Sequence, residues 1–332
     1  MKSVSIVIPN LNDDCNLEKL LLSIKKQGYK KELIEIIVVD GGSTDRSLEI
    51  AQKFKAKVII DRKSKAEAAK GIGISKAKNE LILLVDSDNI LEGNNWLEKM
   101  ARILEKEKEA VAVYPFRYQV RKSDKVLNRY FGLFGVNDPV AYFMGKADRQ
   151  SYLENNYALL GKVIKDEKDY FLVEFDRAKV PTLGANGFLI KKDILAMSKY
   201  KKRGFYHIDS NWDLIDKGYN KYMVAKTEII HASGESLGKY IYKRAKYFDQ
   251  FYAKDYRNRQ FYLFDFKKDW YKLVWFGVAS QTIIFPLYQS IRGYIRKPDI
   301  AWFLHPLICF MMFWIYGYAV LKAKLNLGSR LG

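Results

Sequence analysis

Two aspartates, Asp86 and Asp88, are the residues of this chain whose types and spacing most directly indicate chemistry. They follow the uncharged apolar run Leu81-Ile-Leu-Leu-Val85, which has the composition of a buried strand. A strand that ends in this way brings two carboxylates to the carboxyl edge of an α/β sheet, where such sheets bind their ligands. Carboxylates at that edge can hold a divalent cation that also carries phosphate oxygens. An acidic turn without function has the same short pattern, so the rest of the chain must decide.

Strand and helix signals alternate over the first hundred residues and predict the scaffold that positions these aspartates. Leu17, Leu20, Leu21 and Ile24 have the spacing of one helix face, whereas the neighbouring runs are short and rich in β-branched residues. Strands that alternate with helices predict an α/β fold with a mostly parallel sheet and flanking helices. The predicted elements are strands over 3–9, 34–39, 58–60 and 81–85 and helices over 16–27 and 66–77.

Four motifs in this region resemble, in the same order, those of inverting family-2 glycosyltransferases of the GT-A fold. They are Ile6-Val-Ile-Pro-Asn-Leu-Asn12, Val38-Val-Asp-Gly-Gly-Ser-Thr-Asp45, Ala68-Ala-Lys-Gly-Ile-Gly-Ile74 and Asp86-Ser-Asp88. The resemblance extends over residues 3–235. It implies a Rossmann-like catalytic domain that transfers a sugar from a UDP- or GDP-sugar with inversion at the anomeric carbon.

The resemblance also implies how the sugar nucleotide and its cation are held. Asp88 would be the direct ligand of Mg²⁺ or Mn²⁺, with Asp86 and His231 close by, and the cation would stabilise the departing diphosphate. His231 follows a β-branched run and could equally be a core or capping residue. Lys70 stands where the family usually has arginine, so the charge is kept and the bidentate fork is lost. The residues expected to contact the nucleotide sugar are Pro9, Asn10, Asn12, Asp40, Lys70, Asp86 and Ser87.

Inversion requires a base that takes the proton of the acceptor hydroxyl as the new bond forms. Family members commonly place a Glu-Asp pair just ahead of an Asp-Leu at a helix start, but here Ser210 and Asn211 occupy the pair. Asp209 is the nearest carboxylate and is the expected base, with Asp213 as the alternative. A helix-capping role for Asp209 is also open, because aspartate is a favoured cap.

The acceptor is less well specified than the donor. The resemblance implies that Asn186 and Gly187 lie on the acceptor side, and Trp212 could stack on a sugar, although an aromatic residue at a helix start is more often part of the core. A lipid phosphate acceptor is already ionised and would need no base. A polyprenyl-phosphate glycosyl synthase is therefore the alternative to transfer onto a hydroxyl of a lipid-linked or membrane-proximal glycan.

The formal net charge of +19 indicates an anionic partner, and its position indicates which one. Basic and aromatic residues interleave after residue 239 and lead into two uncharged apolar segments, 273–291 and 300–321. That order favours an anionic lipid surface over nucleic acid. Each segment is about long enough to cross a bilayer, but Arg292 and Arg296 lie between them and disfavour a simple hairpin. We expect segments that lie in the interface or re-enter from one face, with a spanning hairpin or a buried soluble hairpin as alternatives.

The chain thus divides into an expected catalytic domain over residues 1–238 and a basic, helical, membrane-associating region over 239–332. Cys15 and Cys309 match no metal or disulfide spacing, and the first apolar run is too short for a secretory signal. We therefore expect catalysis on the cytoplasmic side of the cell membrane. Two rivals remain weaker: a nucleotidyltransferase usually carries a glycine-rich basic loop that 10–17 lacks, and uncharged apolar segments serve no nucleic-acid surface.

Overall fold

The computed structural model places the chain in two compact units. It describes residues 1–63, 65–199, 205–232, 236–248, 260, 261, 263, 265 and 267–328. The first unit comprises Met1–Gln119 and Leu160–Ser233, and the second comprises Val120–Leu159 and Gly234–Gly332. The aromatic segment 129–149, whose role the sequence leaves obscure, belongs to the second unit.

The first unit contains a ten-stranded sheet with helices beside it. Its strands are β1 (Val4–Asn10), β2 (Ile34–Asp40), β3 (Lys57–Ile60), β4 (Leu81–Leu84), β5 (Asn89–Ile90), β6 (Ala112–Tyr118), β7 (Lys162–Asp166), β8 (Tyr170–Glu174), β9 (Phe188–Lys191) and β10 (Lys221–His231). Its helices are α1 (Asp14–Lys25), α2 (Ser47–Lys53), α3 (Ala66–Lys76), α4 (Trp96–Lys106), α7 (Lys192–Ala196) and α8 (His207–Asp216).

The strand order explains why the motifs meet at one edge. The path is β3-β2-β1-β4-β9-β6-β10-β8-β7, and β3, β2, β1 and β4 are parallel neighbours. Parallel strands end at the same edge, so the loops after β1, β2 and β4 lie side by side. The expected α/β sheet with flanking helices is confirmed. Its later half is mixed, because β9 runs antiparallel to both β4 and β6.

A short strand fixes the position of the two aspartates. Directly after Asp88, β5 pairs antiparallel with the end of β10, and Asn89 lies opposite His231 in the register. The backbone N–H of Ala232 also donates to the carbonyl oxygen of Asp88 at 2.7 Å. Sheet pairing alone therefore brings together Asn89 and His231, which are 142 positions apart in sequence.

The second unit is helical in the part that the structure describes. Its helices are α5 (Val126–Phe134), α6 (Pro139–Phe143), α9 (Leu237–Phe248), α10 (Trp270–Thr282), α11 (Ile284–Arg296) and α12 (His305–Gly328), with a 3-10 turn over Ile300–Leu304. Its core includes Trp302 and His305, both fully buried. The His305 ring accepts or donates hydrogen bonds at both nitrogens, with Tyr130 at 2.9 Å and Gln289 at 3.0 Å, so this polar group is satisfied inside the core.

The two apolar segments behave differently. Residues 273–291 do not form one helix, because α10 ends at Thr282. The next residue, Ile283, has a φ of 64°, a left-handed conformation that a β-branched residue rarely adopts. Among the described residues, one stretch has both the length and the composition of a membrane span. It is Ile300–Lys322, with a mean hydropathy of 1.6 and a third of its most apolar window buried.

Candidate active site

The loops after β1 and β2 are held together by side-chain hydrogen bonds. Asn10 Nδ2 donates to Asp40 Oδ2 at 3.0 Å, and the Ser43 hydroxyl donates to the same oxygen at 2.7 Å. Asn12 has a left-handed φ of 49°, and its side-chain oxygen accepts from the backbone N–H of Thr44 at 2.8 Å. Pro9 lies in β1, beside Val39 of β2. The predicted nucleotide-binding residues of these two loops therefore form one connected surface.

Asp40 is the central acceptor of this surface. Besides its bonds to Asn10 and Ser43 side chains, its Oδ1 accepts from the backbone N–H groups of Gly42 and Ser43. Burial raises the pKa of the Asp40 carboxyl, but the hydrogen bonds from Ser43, Asn10 and Gly42 outweigh burial and leave the pKa below its usual value. These four hydrogen bonds to the Asp40 carboxylate fix the conformation of the loop after β2.

Lys70 pairs with two carboxylates, one of which belongs to the turn that contains Asp86 and Asp88, called here the donor-side turn. Its ammonium is 2.9 Å from Asp86 Oδ1 and 3.4 Å from Glu67 Oε1, and its side chain is 2% exposed. Burial lowers the pKa of Lys70, but Asp86 and Glu67 raise it more, so the group stays charged. A buried lysine held by two carboxylates therefore places a fixed positive charge beside Asp86.

Asp88 and His231 are in direct contact. His231 Nε2 lies 3.2 Å from Asp88 Oδ2, and both side chains are largely buried. The His231 ring stacks on Tyr118 with ring centroids 5.5 Å apart. Between the two aspartates, Ser87 donates its hydroxyl to Asp13 Oδ2 at 2.7 Å, which ties the turn to the loop after β1.

A chain of amide hydrogen bonds links this turn to the predicted acceptor-side loop. The buried Asn89 accepts from the backbone N–H of Asp86 at 3.0 Å and donates to Asn186 Oδ1 at 3.1 Å. Asn186 Nδ2 donates in turn to the Tyr118 hydroxyl at 2.9 Å. Because Tyr118 stacks on His231, the path returns to Asp88 and forms a closed ring around the site.

The backbone of the acceptor-side loop has little freedom. Asn186 and Gly187 have φ values of 55° and 86°, and Gly187 donates its N–H to Leu84 at the end of β4. A Cβ at Gly187 would lie 2.6 Å from Ile229 Cδ1, which is too close for a side chain. Glycine and asparagine are the residues that adopt such a backbone at low cost.

Helix α8 carries the predicted bases, and the structure separates them. Asp209, in the first turn, is fully buried. Asp213 lies further along and is paired with Lys217 at 3.0 Å and with Lys199 at 3.8 Å. The Arg177 guanidinium lies over the Trp212 ring, 5.3 Å from the ring centroid.

A histidine at the start of α8 was not anticipated from the sequence. His207 Nδ1 lies 2.7 Å from Glu67 Oε2, and the same oxygen accepts from the His207 backbone N–H at 3.0 Å. Burial raises the pKa of Glu67, but His207 and Lys70 lower it more, so the carboxylate is ionised at neutral pH. Glu67 therefore joins α3 to the first turn of α8.

The donor set suits a hard divalent cation that also takes phosphate oxygens. Among the described residues there is no cluster of three or more His, Cys, Asp and Glu side chains that could enclose a metal alone. Mg²⁺ and Mn²⁺ sites of nucleotide enzymes need only one or two protein carboxylates, because substrate phosphates supply the rest. The contact between Asp88 and His231 offers such a partial set at the end of β4.

Four contributors to the site lie outside the sequence motifs: Glu67, Asn89, Tyr118 and His207. Glu67 could have been found as the residue one helical turn before Lys70, and Asn89 as the residue directly after the two aspartates. Tyr118 and His207 have no comparable local signal, because contacts across 68 and 140 residues bring them to the site.

Comparison with known proteins gives a family match. The family model described as glycosyl transferase family 2 matches residues 5–178, just over half of the chain. The glycosyltransferase GlyG of Streptococcus pneumoniae is 38% identical over 138 residues, which is 40% of this chain and 44% of that protein. The poly(ribitol-phosphate) beta-N-acetylglucosaminyltransferase TarS of Staphylococcus aureus is 25% identical over 259 residues, 72% of this chain and 42% of TarS. Each match spans less than half of the relative.

A solved structure shares the fold over nearly the whole chain. The mannosyltransferase PcManGT of Pyrobaculum calidifontis, solved with GDP-Man and Mn²⁺, superposes with a TM-score of 0.52 at 14% identity, and covers 98% of this chain and 88% of its own. At this identity the likeness shows the fold, and it confirms the expected GT-A class.

Proposed function

Because this chain belongs to the family-2 glycosyltransferases, we propose that it transfers a sugar from a nucleotide-diphosphate sugar to a hydroxyl acceptor with inversion at the anomeric carbon. The observation that carries the proposal is the contact of Asp88 with His231 at the end of β4. It lies at the edge of the sheet where the loops after β1 and β2 also end.

The loops after β1 and β2 would bind the nucleoside. Asn10, Asn12 and Asp40 form a hydrogen-bonded surface whose shape is fixed before a ligand arrives. Because the surface is already formed, little conformational entropy is lost when a ligand binds, which favours affinity. A uridine or a guanosine would be recognised by edges of this surface, and Ser87 would lie between the nucleoside and the diphosphate.

Asp88, Asp86 and His231 would hold Mg²⁺ or Mn²⁺ together with the donor diphosphate, and PcManGT was solved with GDP-Man and Mn²⁺. When bound, the cation supplies Lewis-acid stabilisation of the negative charge on the leaving diphosphate. Lys70 adds a permanent positive charge under Asp86, where it fixes the direction of that carboxylate. The ring through Asn89, Asn186 and Tyr118 holds His231 and the turn in place.

The first turn of α8 would receive the acceptor proton. Asp209 lies there, whereas Asp213 is engaged by two lysines and is the less suitable alternative. If the acceptor is a polyprenyl phosphate, no base is needed and substitution of the carboxylates on α8 should leave most of the activity. Loss of activity would favour a hydroxyl acceptor.

We further propose that the second unit holds the enzyme at an anionic membrane surface, with a lipid-linked or membrane-proximal glycan as acceptor. Large apolar side chains are exposed along α10, α11 and α12, among them Trp270, Ile284, Ile295 and Tyr318. Many exposed large apolar side chains on successive helices are typical of a surface that binds a membrane or another protein. Lys267, Lys268, Lys272, Arg292 and Arg296 flank it, as expected beside anionic headgroups.

A panel of nucleotide sugars tests the donor. The full chain in detergent is mixed with Mn²⁺ and each UDP- or GDP-sugar, and slow release of free nucleoside diphosphate is measured. We expect release with one or a few donors and its loss when EDTA is added. Absence of release from every donor, with the protein folded, would contradict the proposed function.

Asp88→Ala is the site-specific control for this panel. Release that continued unchanged in this variant would place the reaction elsewhere in the molecule.

A further inference from the structure

His207 and Glu67 form a histidine–carboxylate pair that the family motifs do not include. Nδ1 of His207 is 2.7 Å from Glu67 Oε2, and the backbone N–H of His207 bonds the same oxygen, so the ring is anchored at two points. An ionised carboxylate at Nδ1 selects the tautomer with the proton on Nδ1. The lone pair is then on Nε2.

The pair is connected to the donor-side turn through one residue. Glu67 Oε1 is 3.4 Å from the Lys70 ammonium, and Lys70 is 2.9 Å from Asp86 Oδ1. Glu67 and Lys70 are one helical turn apart on α3, so that helix sets the separation between His207 and Asp86. Two side chains, those of Glu67 and Lys70, therefore connect His207 to Asp86, which would help to hold the diphosphate.

Exposure distinguishes His207 from the carboxylate on the same helix. Asp209 is fully buried, whereas the His207 side chain is 18% exposed. In the part of the chain that the structure describes, Nε2 of His207 has no hydrogen-bond partner, while Nδ1 is occupied by Glu67. A proton acceptor must reach within hydrogen-bond distance of its substrate, and a partly exposed side chain meets that condition better than a fully buried carboxylate.

We propose that His207, oriented by Glu67, is the general base that accepts the acceptor's proton. This inference rests on the proposed function and replaces Asp209 as the base. The acceptor O–H proton moves to Nε2 while the oxygen attacks the anomeric carbon. The bond from that carbon to the diphosphate oxygen breaks, and its electron pair leaves with the nucleoside diphosphate. Glu67 stabilises the imidazolium that forms.

A purely structural role for the pair is the competing explanation. Glu67 accepts the backbone N–H at the start of α8, and this bond alone could explain its position. Among the residues that the structure describes, the charged groups near His207 are Glu67 and Lys70 of α3, with Asp86 beyond Lys70, and its own helix carries Asp209. A test must therefore use a readout that loss of a cap would not change.

The experiment measures transfer by the full chain in detergent, with the donor found in the panel and octyl β-glucoside as the hydroxyl acceptor. His207→Ala should lower kcat by about 10²–10⁴-fold, and added imidazole should restore part of it because it can fill the space of the lost ring. His207→Gln should remove the acidic limb of the pH profile of kcat/KM. Glu67→Gln should lower kcat less than His207→Ala does, and Asp209→Asn less again.

Donor affinity and stability separate this proposal from its alternatives. Calorimetric donor binding and the thermal midpoint should stay near wild type in His207→Gln, and exposed Glu18→Gln is the matched control for Glu67→Gln. Turnover of His207→Ala within a few-fold of wild type would overturn the base assignment. A loss that imidazole does not relieve, with Asp209→Asn equally inactive, would also overturn it. Failure of the wild type to release nucleoside diphosphate from any donor would instead contradict the proposed function.

Discussion

The two units of this chain differ in how many of their large apolar side chains are exposed to solvent. In the first unit the strands bury their apolar side chains, and the described exposed ones are few and scattered, as with Leu22 and Ile164. In the second unit, by contrast, many large apolar side chains between Trp270 and Leu321 are exposed, and they lie on the three successive helices α10, α11 and α12. Charged groups at the candidate site of the first unit are instead buried and paired, as Lys70 is with Asp86.

This contrast separates two tasks. Buried, mutually bonded polar groups make a rigid site, because each side chain is held by its neighbours in one orientation. Exposed apolar helix faces gain free energy only when something removes them from water. The comparison predicts that chemistry and membrane attachment can be lost independently, and each of the following changes tests that independence.

Asp88→Ala should have the largest effect on turnover. Removing the carboxylate that contacts His231 should lower kcat by about 10³-fold, as loss of one group that stabilises transition-state charge does. Cosedimentation with vesicles of phosphatidylglycerol and phosphatidylcholine should be unchanged. Release from vesicles by this substitution would show that the two tasks are coupled.

The double change Ile284→Asp and Leu287→Asp tests the other side of the comparison. Both side chains are exposed near the break between α10 and α11. Burial of one such side chain is worth about 1.5–3 kcal/mol, so the pair should lower the vesicle partition coefficient by at least about 10²-fold. Ile164→Asp, at an exposed site on β7 of the first unit, is the matched control.

Transfer to soluble octyl β-glucoside should be retained in the double variant. A protein that stays on the vesicles in spite of both charges would contradict the proposed lipid surface. A protein that leaves them and also loses soluble transfer would contradict independence.

Asn186→Gly removes the amide that joins Asn89 to Tyr118 while keeping a residue that tolerates the φ of 55°. Substitution of a residue that hydrogen-bonds a metal-binding side chain typically lowers metal affinity or activity by about 10–100-fold. We expect a loss of that size in donor turnover, measured at saturating Mn²⁺. Asn186→Ala adds backbone strain to the same loss of hydrogen bonds, so a much larger effect in the alanine variant would assign the role to the backbone.

Much of the first half of the fold follows from local sequence. The predicted strand over 34–39 lies in β2, and the helix predicted over 66–77 is α3 with one residue fewer. Such elements are set by hydrophobic period and by the residues that end them. The later half of the sheet is decided by pairing between distant strands, as when β9 joins β4 from a hundred residues away, and no local pattern specifies that register.

The candidate site divides in the same way. Asp40, Asp86 and Asp88 could be identified because they lie at or shortly after the carboxyl ends of β2 and β4, where parallel topology brings side chains together. Whether Asp213 is held by lysines, or Asp209 is buried, depends on packing that a single sequence does not reveal. Likewise, the break at Ile283 was signalled only indirectly, by Pro286 three residues later.

Gly187→Ala should destabilise the first unit without removing any side chain that is proposed to bind the metal or the nucleotide sugar. The added Cβ would meet Ile229 at 2.6 Å, and the positive φ adds strain. Gly218→Ala is the matched control, because Gly218 has a similar φ of 89° with nothing within 4 Å of the added carbon. Both should cost about 1 kcal/mol of unfolding free energy for the backbone, and Gly187→Ala should cost about 1–3 kcal/mol more for the clash. Equal losses in denaturant titrations would remove the steric argument.

The smallest expected effect is on the pH dependence of stability and comes from the Asp40 carboxyl. Its pKa is lowered in the folded protein, so the bonds from Ser43, Asn10 and Gly42 contribute stability that is present above the unfolded pKa of about 3.9 and is lost as pH falls through the folded value. Asp40→Asn cannot titrate, so its unfolding free energy should fall less steeply than that of the wild type as pH drops below about 5. Because the second unit is proposed to bind lipid through apolar side chains, vesicle binding should persist over the same range. If the unfolding free energies of the two proteins fell equally steeply with pH, these hydrogen bonds would not favour the ionised carboxyl. Asp40 would then give no support to the view that the first unit holds its site rigid through paired polar groups.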